Sequence, residues 1–213
     1  MAGTAPRRDI VIFDLGGVLI DWDPRHLYRR LFGSDVAAME AFLANVCTPE
    51  WNERQDAGRS FAEAEAEAIA AHPGMRDLIT AWARRFDEMI PGAIAGSVAI
   101  LAELRARGVP LYALSNWSAE TFPSQRARFD FLSWFAGIVV SGEEGIIKPD
   151  PRIYRRLLDR HGIDPSRAIY IDDVAANAAA ASALGIHGVH FTAPETLRDA
   201  LTTFGLLGGT RHA

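Results

Sequence analysis

Four short polar groups in the sequence carry side chains that together could hydrolyse an ester. They are, in chain order, Asp14-Leu15-Gly16-Gly17, Ser115-Asn116, Lys148-Pro149 and Asp172-Asp173. A carboxylate such as that of Asp14 can act as a nucleophile, which divides a difficult hydrolysis into formation and breakdown of a covalent intermediate. Transfer of a phosphoryl group also requires positive charge and hydrogen-bond donors around the reacting oxygens. These residue types therefore indicate hydrolysis of a phosphate ester.

The remaining groups supply the partners that such a reaction needs. Carboxylates, a backbone carbonyl and waters are suitable ligands for Mg²⁺. A lysine together with a hydroxyl or amide donor can hold the phosphoryl oxygens, and glycines let the backbone approach closely. Each group also has a simpler explanation, because aspartate commonly caps helices and forms turns. The functional interpretation depends on all four groups occurring in this order at the ends of strands.

Short apolar runs alternate with helical patterns and would position these groups. The runs, which are typical of buried strands in a parallel sheet, occur at residues 10–13, 111–114, 138–140, 168–171 and, more weakly, 188–191. Helical patterns span 97–107, 151–161 and 174–184, and a glycine follows each of them. The alternation predicts an α/β fold with a doubly wound parallel sheet. The polar groups would then converge on one cleft at the carboxyl edge of the sheet.

One region interrupts this alternation. Residues 24–90 contain several helix-like segments and no convincing strand, and the stretch 61–71 is rich in alanine and glutamate, which favour helices. We interpret the region as a helical insertion directly after the first strand, above the carboxyl edge of the sheet. The predicted organisation is a core of residues 1–20 and 91–213 with a helical cap of residues 21–90.

Taken together, the four groups resemble the motifs of the haloacid dehalogenase superfamily of aspartate-nucleophile hydrolases. The resemblance covers about residues 10–191 and rests on Phe13 to Leu19 for the first motif, Leu114-Ser115-Asn116 for the second, Lys148-Pro149 for the third, and Ile171-Asp172-Asp173 with Asn177 and Gly185 for the fourth. It implies a Rossmann-like core with a small helical cap. It also implies a Mg²⁺-dependent phosphatase similar to bacterial sugar-phosphate phosphatases with an Asp-Leu-Gly first motif.

The resemblance also implies a role for each matching residue. Asp14 would be the nucleophile, Lys148 the clamp on the phosphoryl group, and Ser115 with Asn116 would contact the phosphate. The implied Mg²⁺ ligands are Asp14, the carbonyl of Gly16 and Asp173, with Asp172 either a further ligand or a residue behind the ligands.

The sequence departs from the family pattern at Gly16. Most phosphatases of the superfamily carry an aspartate at this position as the general acid and base, a contribution commonly worth roughly two to four orders of magnitude in rate. A backbone carbonyl at residue 16 still serves a metal, but no side chain there donates a proton. Water, the substrate or another residue must do so. Asp21 and His26 are candidates by proximity in sequence, and capping or surface roles explain them equally well.

Two alternative functions remain open. A 2-haloacid dehalogenase would use the same nucleophile without a metal, but such enzymes usually carry an aromatic residue at the position of Gly16 and lack the acidic pair at 172–173. A catalytically weak or silent ligand-binding member is the second alternative, because the usual acid is missing. The presence of the other chemical residues favours the phosphatase.

Residues of the predicted cap would select the substrate, for which a small sugar phosphate is our expectation. Trp51 could stack on a sugar and Arg54 could hold an anionic group. These two belong to a polar and aromatic cluster with Asn52, Asp56 and Arg59. Packing inside the cap or exposure to solvent explains the cluster at least as well. Nearer the motifs, Gly17, Trp22 and Trp117 are predicted to line the cleft.

Composition narrows the function classes. The 213 residues have a formal net charge of −5, which argues against a general nucleic-acid binder. Cys47 is the only cysteine, so an intramolecular disulfide is excluded, and we expect it to be buried. The apolar run that ends at Asp14 is too short for a signal peptide or a membrane span, which favours a cytoplasmic location. No pattern predicts the oligomeric state.

Overall fold

A five-stranded parallel sheet forms the centre of the protein, whose computed structural model describes residues 8–208. The strands of the chain are β1 (Ile10–Phe13), β2 (Ile20–Asp21), β3 (Gly92–Ala93), β4 (Leu111–Ser115), β5 (Gly137–Val140), β6 (Ala168–Asp172) and β7 (His187–His190). The order in the large sheet is β5-β4-β1-β6-β7, and every neighbouring pair is parallel. The predicted α/β fold with a parallel sheet is confirmed.

The continuous apolar run of β1 arises because both faces of the sheet are covered. Val11 and Phe13 face one buried cluster, whereas Ile10 and Ile12 face another on the opposite side of the sheet. Successive side chains of a strand point to opposite faces, so a strand buried on both faces must be apolar at every position. Central β1 thereby becomes the fixed base from which Asp14 extends.

Helices pack on both faces of the sheet. The chain contains α1 (Arg25–Phe32), α2 (Val36–Asn45), α3 (Pro49–Asp56), α4 (Phe61–Ala71), α5 (Arg76–Arg84), α6 (Ala95–Ala106), α7 (Phe122–Arg128), α8 (Ser141–Glu144), α9 (Pro151–His161), α10 (Ala175–Ala183) and α11 (Pro194–Thr203). Apolar residues of α6 and α11 join the cluster of Val11 and Phe13. Those of α9 and α10 join the cluster of Ile10 and Ile12.

Helices α1 to α5 lie between β2 and β3, which pair with each other as a short antiparallel ribbon. The chain therefore enters and leaves this helical region at one place. The region has an aromatic interior, in which the rings of Trp51 and Trp82 are 5.3 Å apart and those of Tyr28 and Phe42 are 5.0 Å apart. Helix α4 coincides with the predicted helix at 61–71 and begins with a capping box of Ser60 and Glu63.

We propose these helices as the cap of residues 21–90. The outer limits of the predicted core, residues 1 and 213, lie outside the described residues. Within residues 8–208, no helix has both the length and the apolar composition that a bilayer span requires.

Candidate active site

Asp14 occupies the first position after β1, where its main chain is held between the strand and a tight turn. Its amide donates to the carbonyl of Ile171 at 2.8 Å, and its Oδ1 accepts the amide of Leu15 at 2.7 Å. The turn closes with the amide of Ile20 donating to the carbonyl of Leu15 at 2.8 Å. Gly17 lies in this turn with φ of +70°, a conformation that other residues rarely adopt. The carboxylate of Asp14 is therefore presented at the carboxyl edge of the sheet.

Lys148 reaches the same point from the loop after α8. Its Nζ lies 2.8 Å from Oδ2 of Asp14 and 2.7 Å from Oδ2 of Asp172, and it donates to the carbonyl of Leu114 at 3.3 Å. The side chain of Lys148 is only 1% exposed. Three acceptors match the three protons of an ammonium group, so the lysine is fully satisfied in a buried position. Burial acts to lower the pKa of Lys148, but Asp14 and Asp172 outweigh it and raise the pKa, which keeps the charge in place.

The carboxylate of Asp172 is completely buried and surrounded by protein donors. Its Oδ2 accepts from Lys148 and from the hydroxyl of Tyr170. Its Oδ1 accepts the amide of Val174 at 2.8 Å and the side-chain amide of Asn177 at 3.0 Å. Asp172 is therefore placed to orient Lys148.

The next residue, Asp173, is exposed, in contrast to the buried Asp172. Oxygens of Asp14, Asp172 and Asp173 lie within 4.8 Å of one another, close enough to surround one cation. The backbone of Gly17 makes room for this arrangement, because a Cβ at residue 17 would lie 2.2 Å from Oδ2 of Asp173. Hard oxygen donors in such a group suit Mg²⁺.

The local electrostatics of Asp14 favour a bound cation. Burial raises the pKa of Asp14 to about 7, in opposition to the lowering effect of Lys148, and the nearby charge of Asp172 adds to the rise. Burial and Asp172 also raise the pKa of Asp173. Like charges at short distance raise each other's pKa values, and an added divalent cation would reverse that effect.

Asn116 braces the loop that carries Lys148. Its side-chain oxygen accepts the amide of Lys148 at 2.8 Å, and its side-chain nitrogen donates to the carbonyl of Lys148 at 3.1 Å. The amide of the next residue, Trp117, donates to the hydroxyl of Ser141 at 2.9 Å. Ser115, the last residue of β4, is 1% exposed and pairs in register with Val140 of β5.

A cavity of about 740 Å³ opens above the carboxylates and extends into the helical region. On the sheet side it is lined by residues of the polar groups, namely Asp14, Gly16, Gly17, Asn116, Lys148 and Asp173, together with Val174 and Asn177. On the helical side its lining includes Trp22, Arg25, Glu40, Leu43, Cys47, Glu50, Asn52, Glu53, Asp56 and Trp82. A smaller cavity of about 60 Å³ adjoins Gly16, Asn52, Asp56, Asn116 and Trp117. The volume suits a small metabolite.

Comparison with known proteins identifies the family. Residues 8–185 match the model of the haloacid dehalogenase-like hydrolases. The chain belongs to this family. Among curated relatives, acyl-CoA dehydrogenase family member 10 of Mus musculus is 30% identical over 95% of this chain, which spans 19% of that protein. Sesquiterpene phosphatase astK of Aspergillus oryzae is 28% identical over 85% of this chain and 88% of its own length.

Solved structures of haloacid dehalogenase-like hydrolases show the same fold. A member from Porphyromonas gingivalis superposes with a TM-score of 0.72 at 22% identity, covering 95% of this chain and 100% of its own. A member from Bacteroides thetaiotaomicron, solved as a magnesium complex, gives a TM-score of 0.68 at 20% identity, covering 88% of this chain and 95% of its own. The resemblance predicted from the motifs is confirmed, and the protein is a hydrolase of this family.

Two residues that the sequence placed at the substrate lie elsewhere in this hydrolase. Trp51 is 4% exposed, and its ring packs against Phe61 and Trp82 inside the helical region. Arg54 lies on the outer surface, paired with Glu67 at 3.1 Å. Neither residue lines the cavity. The structure therefore does not place Trp51 or Arg54 at the cavity, because both lie on faces of α3 other than the one that carries Asn52, Glu53 and Asp56.

The other predicted positions fall into two groups. Gly17 and Trp22 line the large cavity, and Trp117 lines the small one, where its indole nitrogen donates to the hydroxyl of Thr121 at 3.1 Å. Asp21 and His26, the candidate proton donors, contact each other at 3.2 Å and are absent from the cavity lining. Sequence proximity to Asp14 did not place either of them at the site.

Several cavity residues were missed or left undecided by sequence reasoning. Sequence pattern alone does not single out Arg25, Glu40, Glu50 or Glu53, and it places Asp56 only within a mixed polar and aromatic cluster. A signal was present, because Asn52, Glu53 and Asp56 recur at the three- and four-residue spacing of one helix face. Cys47 also lines the cavity, and burial raises the pKa of its thiol to about 12, which disfavours the reactive thiolate.

Proposed function

We propose that this enzyme hydrolyses the phosphate monoester of a small polar metabolite, with Asp14 as the nucleophile. The observation that carries the proposal is the position of Nζ of Lys148, 2.8 Å from Asp14 and 2.7 Å from Asp172 at the end of the cavity. A buried ammonium beside a nucleophilic carboxylate can neutralise the charge of the phosphoryl oxygens during transfer. The description of the Aspergillus oryzae relative as a phosphatase supports the same assignment.

The reaction would proceed in two displacements at phosphorus. An oxygen of Asp14 attacks the phosphorus atom, and the bond from phosphorus to the ester oxygen breaks, which leaves an aspartyl phosphate. The departing oxygen takes up a proton and leaves as the alcohol. Water then gives up a proton as it attacks the phosphorus atom of the aspartyl phosphate, which restores the carboxylate and releases inorganic phosphate. Lys148 neutralises charge on the transferred group in both displacements, and Asp172 keeps Lys148 oriented.

The residues at the site fit a Mg²⁺ ion. Asp14, the carbonyl of Gly16 and Asp173 would hold it, and the missing side chain of Gly17 leaves the space that Asp173 occupies. The bound ion would neutralise the nucleophile and the phosphoryl oxygens. We assign Asp172 to the orientation of Lys148 and not to the metal, because four protein donors already occupy its two oxygens.

The cavity supports a small hydroxylated substrate such as a sugar phosphate. Asn52, Glu50 and Glu53 on the wall opposite the carboxylates supply hydrogen-bonding groups for hydroxyls. Arg25 is hydrogen-bonded to Glu40 at 2.7 and 2.8 Å and is therefore not free to bind a second phosphate. Trp22 offers an aromatic face of the kind that sugars contact.

The test is release of inorganic phosphate from a panel of sugar phosphates and other small esters, with Mg²⁺ and with EDTA. We expect Mg²⁺-dependent release that falls by at least about a thousandfold in Asp14→Asn, because the nucleophile is removed. Circular dichroism of the variant checks that the fold is kept. Release of halide from 2-chloropropionate without metal, or phosphate release that survives Asp14→Asn, would overturn the proposal.

A further inference from the structure

The cavity has an open position next to the nucleophile. A Cβ placed on Gly16 would meet nothing within 4 Å, so this residue borders empty space and presents no side chain to it. The departing oxygen of an alkyl phosphate needs a proton, because an alkoxide is a poor leaving group. Lys148 has its protons committed to three acceptors. A side chain that supplies this proton would therefore have to come from another wall of the cavity.

Asp56 lines the same space from the opposite side. It is the last residue of α3, and it borders both the large cavity and the small one that adjoins Gly16 and Asn116. Its Oδ2 accepts the side-chain amide of Asn52 at 2.9 Å, which orients the carboxyl group. Trp51 and Gln55 are buried on the other face of α3, so the helix cannot rotate Asp56 out of the cavity without exposing them.

The end of α3 is also docked directly on the sheet domain. Gly58 has φ of +99°, and a Cβ there would lie 3.2 Å from the carbonyl oxygen of Gly142 and 3.8 Å from Cα of Gly145. The two backbones come this close because Gly58 carries no side chain. This contact between α3 and the loop around α8 sets the distance between Asp56 and the carboxyl ends of the strands.

We propose that Asp56 is the general acid and base of the reaction, supplied from the helical region in place of a side chain at residue 16. In the first displacement its carboxyl proton passes to the ester oxygen as the bond from phosphorus to that oxygen breaks. In the second displacement its carboxylate accepts a proton from the attacking water, which returns Asp56 to its starting state. This inference rests on the proposed phosphatase function.

The surroundings of Asp56 suit a group that both gives and takes a proton. Burial raises its pKa to about 7, and the charges of Glu53 and Asp14 add to the rise. Lys148 and a hydrogen bond with the backbone of Ser118 act in the opposite direction. A catalytic acid works best when its pKa is near the pH of the reaction.

The experiment compares the wild type with the Asp56→Asn variant. The substrates are a series of phenyl phosphates whose leaving groups differ in pKa, together with β-glycerol phosphate. We expect kcat/KM, which reports the first displacement, to fall by roughly a hundredfold to ten-thousandfold for β-glycerol phosphate, and by less than about tenfold for p-nitrophenyl phosphate. The logarithm of kcat/KM should depend more steeply on leaving-group pKa in the variant. A slope equal to that of the wild type would overturn the inference.

Two further variants sharpen this test. Asp77→Asn makes the same chemical change on α5, outside the cavity, and should leave the slope as in the wild type. Adding Gly16→Asp to Asp56→Asn places a carboxyl in the open space beside Asp14. We expect the double variant to hydrolyse β-glycerol phosphate at least tenfold faster than Asp56→Asn alone.

The outcome for Asp14 separates this inference from the proposed function. If Asp14→Asn abolishes release from all esters while Asp56→Asn keeps the wild-type slope, only the role of Asp56 fails. If Asp14→Asn retains phosphate release, the proposed function fails whatever the result for Asp56.

Discussion

Asp172 and Asp173 are neighbours in sequence, yet their carboxylates have opposite surroundings. Asp172 is fully buried and accepts hydrogen bonds from Lys148, Tyr170, Val174 and Asn177, whereas Asp173 is exposed. Consecutive residues at the end of a strand point to opposite sides, so one carboxylate enters the protein and the other faces the cleft. The pair therefore separates into one residue that orients the lysine and one that is available to a metal.

This division predicts different effects of two matched substitutions. We expect Asp173→Asn to lower the affinity for Mg²⁺ by more than about tenfold, because a charged ligand is lost. Asp172→Asn should lower the affinity less, while reducing kcat because Lys148 loses one of its two carboxylate partners. Isothermal titration with Mg²⁺ and steady-state kinetics measure the two effects. A larger loss of affinity in Asp172→Asn than in Asp173→Asn would contradict the assignment.

Gly17 and Gly16 should differ sharply in their tolerance of alanine. At residue 17 a Cβ would lie 2.2 Å from Oδ2 of Asp173, and φ is +70°, whereas at residue 16 a Cβ meets nothing within 4 Å. Gly17→Ala should displace Asp173, weaken Mg²⁺ binding and cost about 1–3 kcal/mol in the free energy of unfolding. Gly16→Ala is the control and should keep both properties. Denaturant unfolding and Mg²⁺ titration of the two variants provide the comparison.

Asp56 should make the metal-free protein less stable as the pH rises. Its pKa is about 7 in the folded protein against an ordinary value of 3.8, so the folded state holds the proton more tightly. The resulting stability is present below pH 4 and is lost progressively as the pH rises through 7. We expect Asp56→Asn to raise Tm relative to wild type at pH 8 and to change it much less at pH 5.

Thermal unfolding in EDTA at these two pH values tests this prediction. EDTA keeps divalent cations from altering the charge balance among Asp14, Lys148 and Asp56. A difference in Tm between variant and wild type that is the same at pH 5 and pH 8 would show that Asp56 titrates normally.

Trp51 and Trp22 offer a matched comparison between packing and substrate contact. Trp51 is buried among Phe61 and Trp82, whereas Trp22 lines the cavity. Trp51→Ala should lower the free energy of unfolding by about 3–5 kcal/mol and leave KM of the folded enzyme unchanged. Trp22→Ala should raise KM with a smaller loss of stability. Urea unfolding and kinetics on the best ester of the panel distinguish them, and a raised KM in Trp51→Ala alone would contradict the structure.

Local pattern in the sequence was sufficient for the fold and for the meeting of Asp14 and Asp172 at one edge of the sheet. A run such as Ile10–Phe13 must be buried on both faces, and its alternation with helices leaves few topologies other than a parallel sheet. In that topology Asp14 and Asp172 must lie at the same edge, because each one ends or directly follows a parallel strand. The convergence of these residues thus followed from strand order and needed no knowledge of side-chain contacts.

Contacts between distant segments decided the rest. The sequence could not tell whether Trp51 or Asp56 faces the cavity, because both lie on the short helix α3 and the answer depends on which face packs against α4 and α5. It could not separate the roles of Asp172 and Asp173, because the donors from Lys148, Tyr170 and Asn177 come together only in the folded chain. Helical and strand periodicity are local properties of the sequence. The orientation of a helix, and the number of hydrogen-bond donors that surround a carboxylate, are properties of tertiary packing.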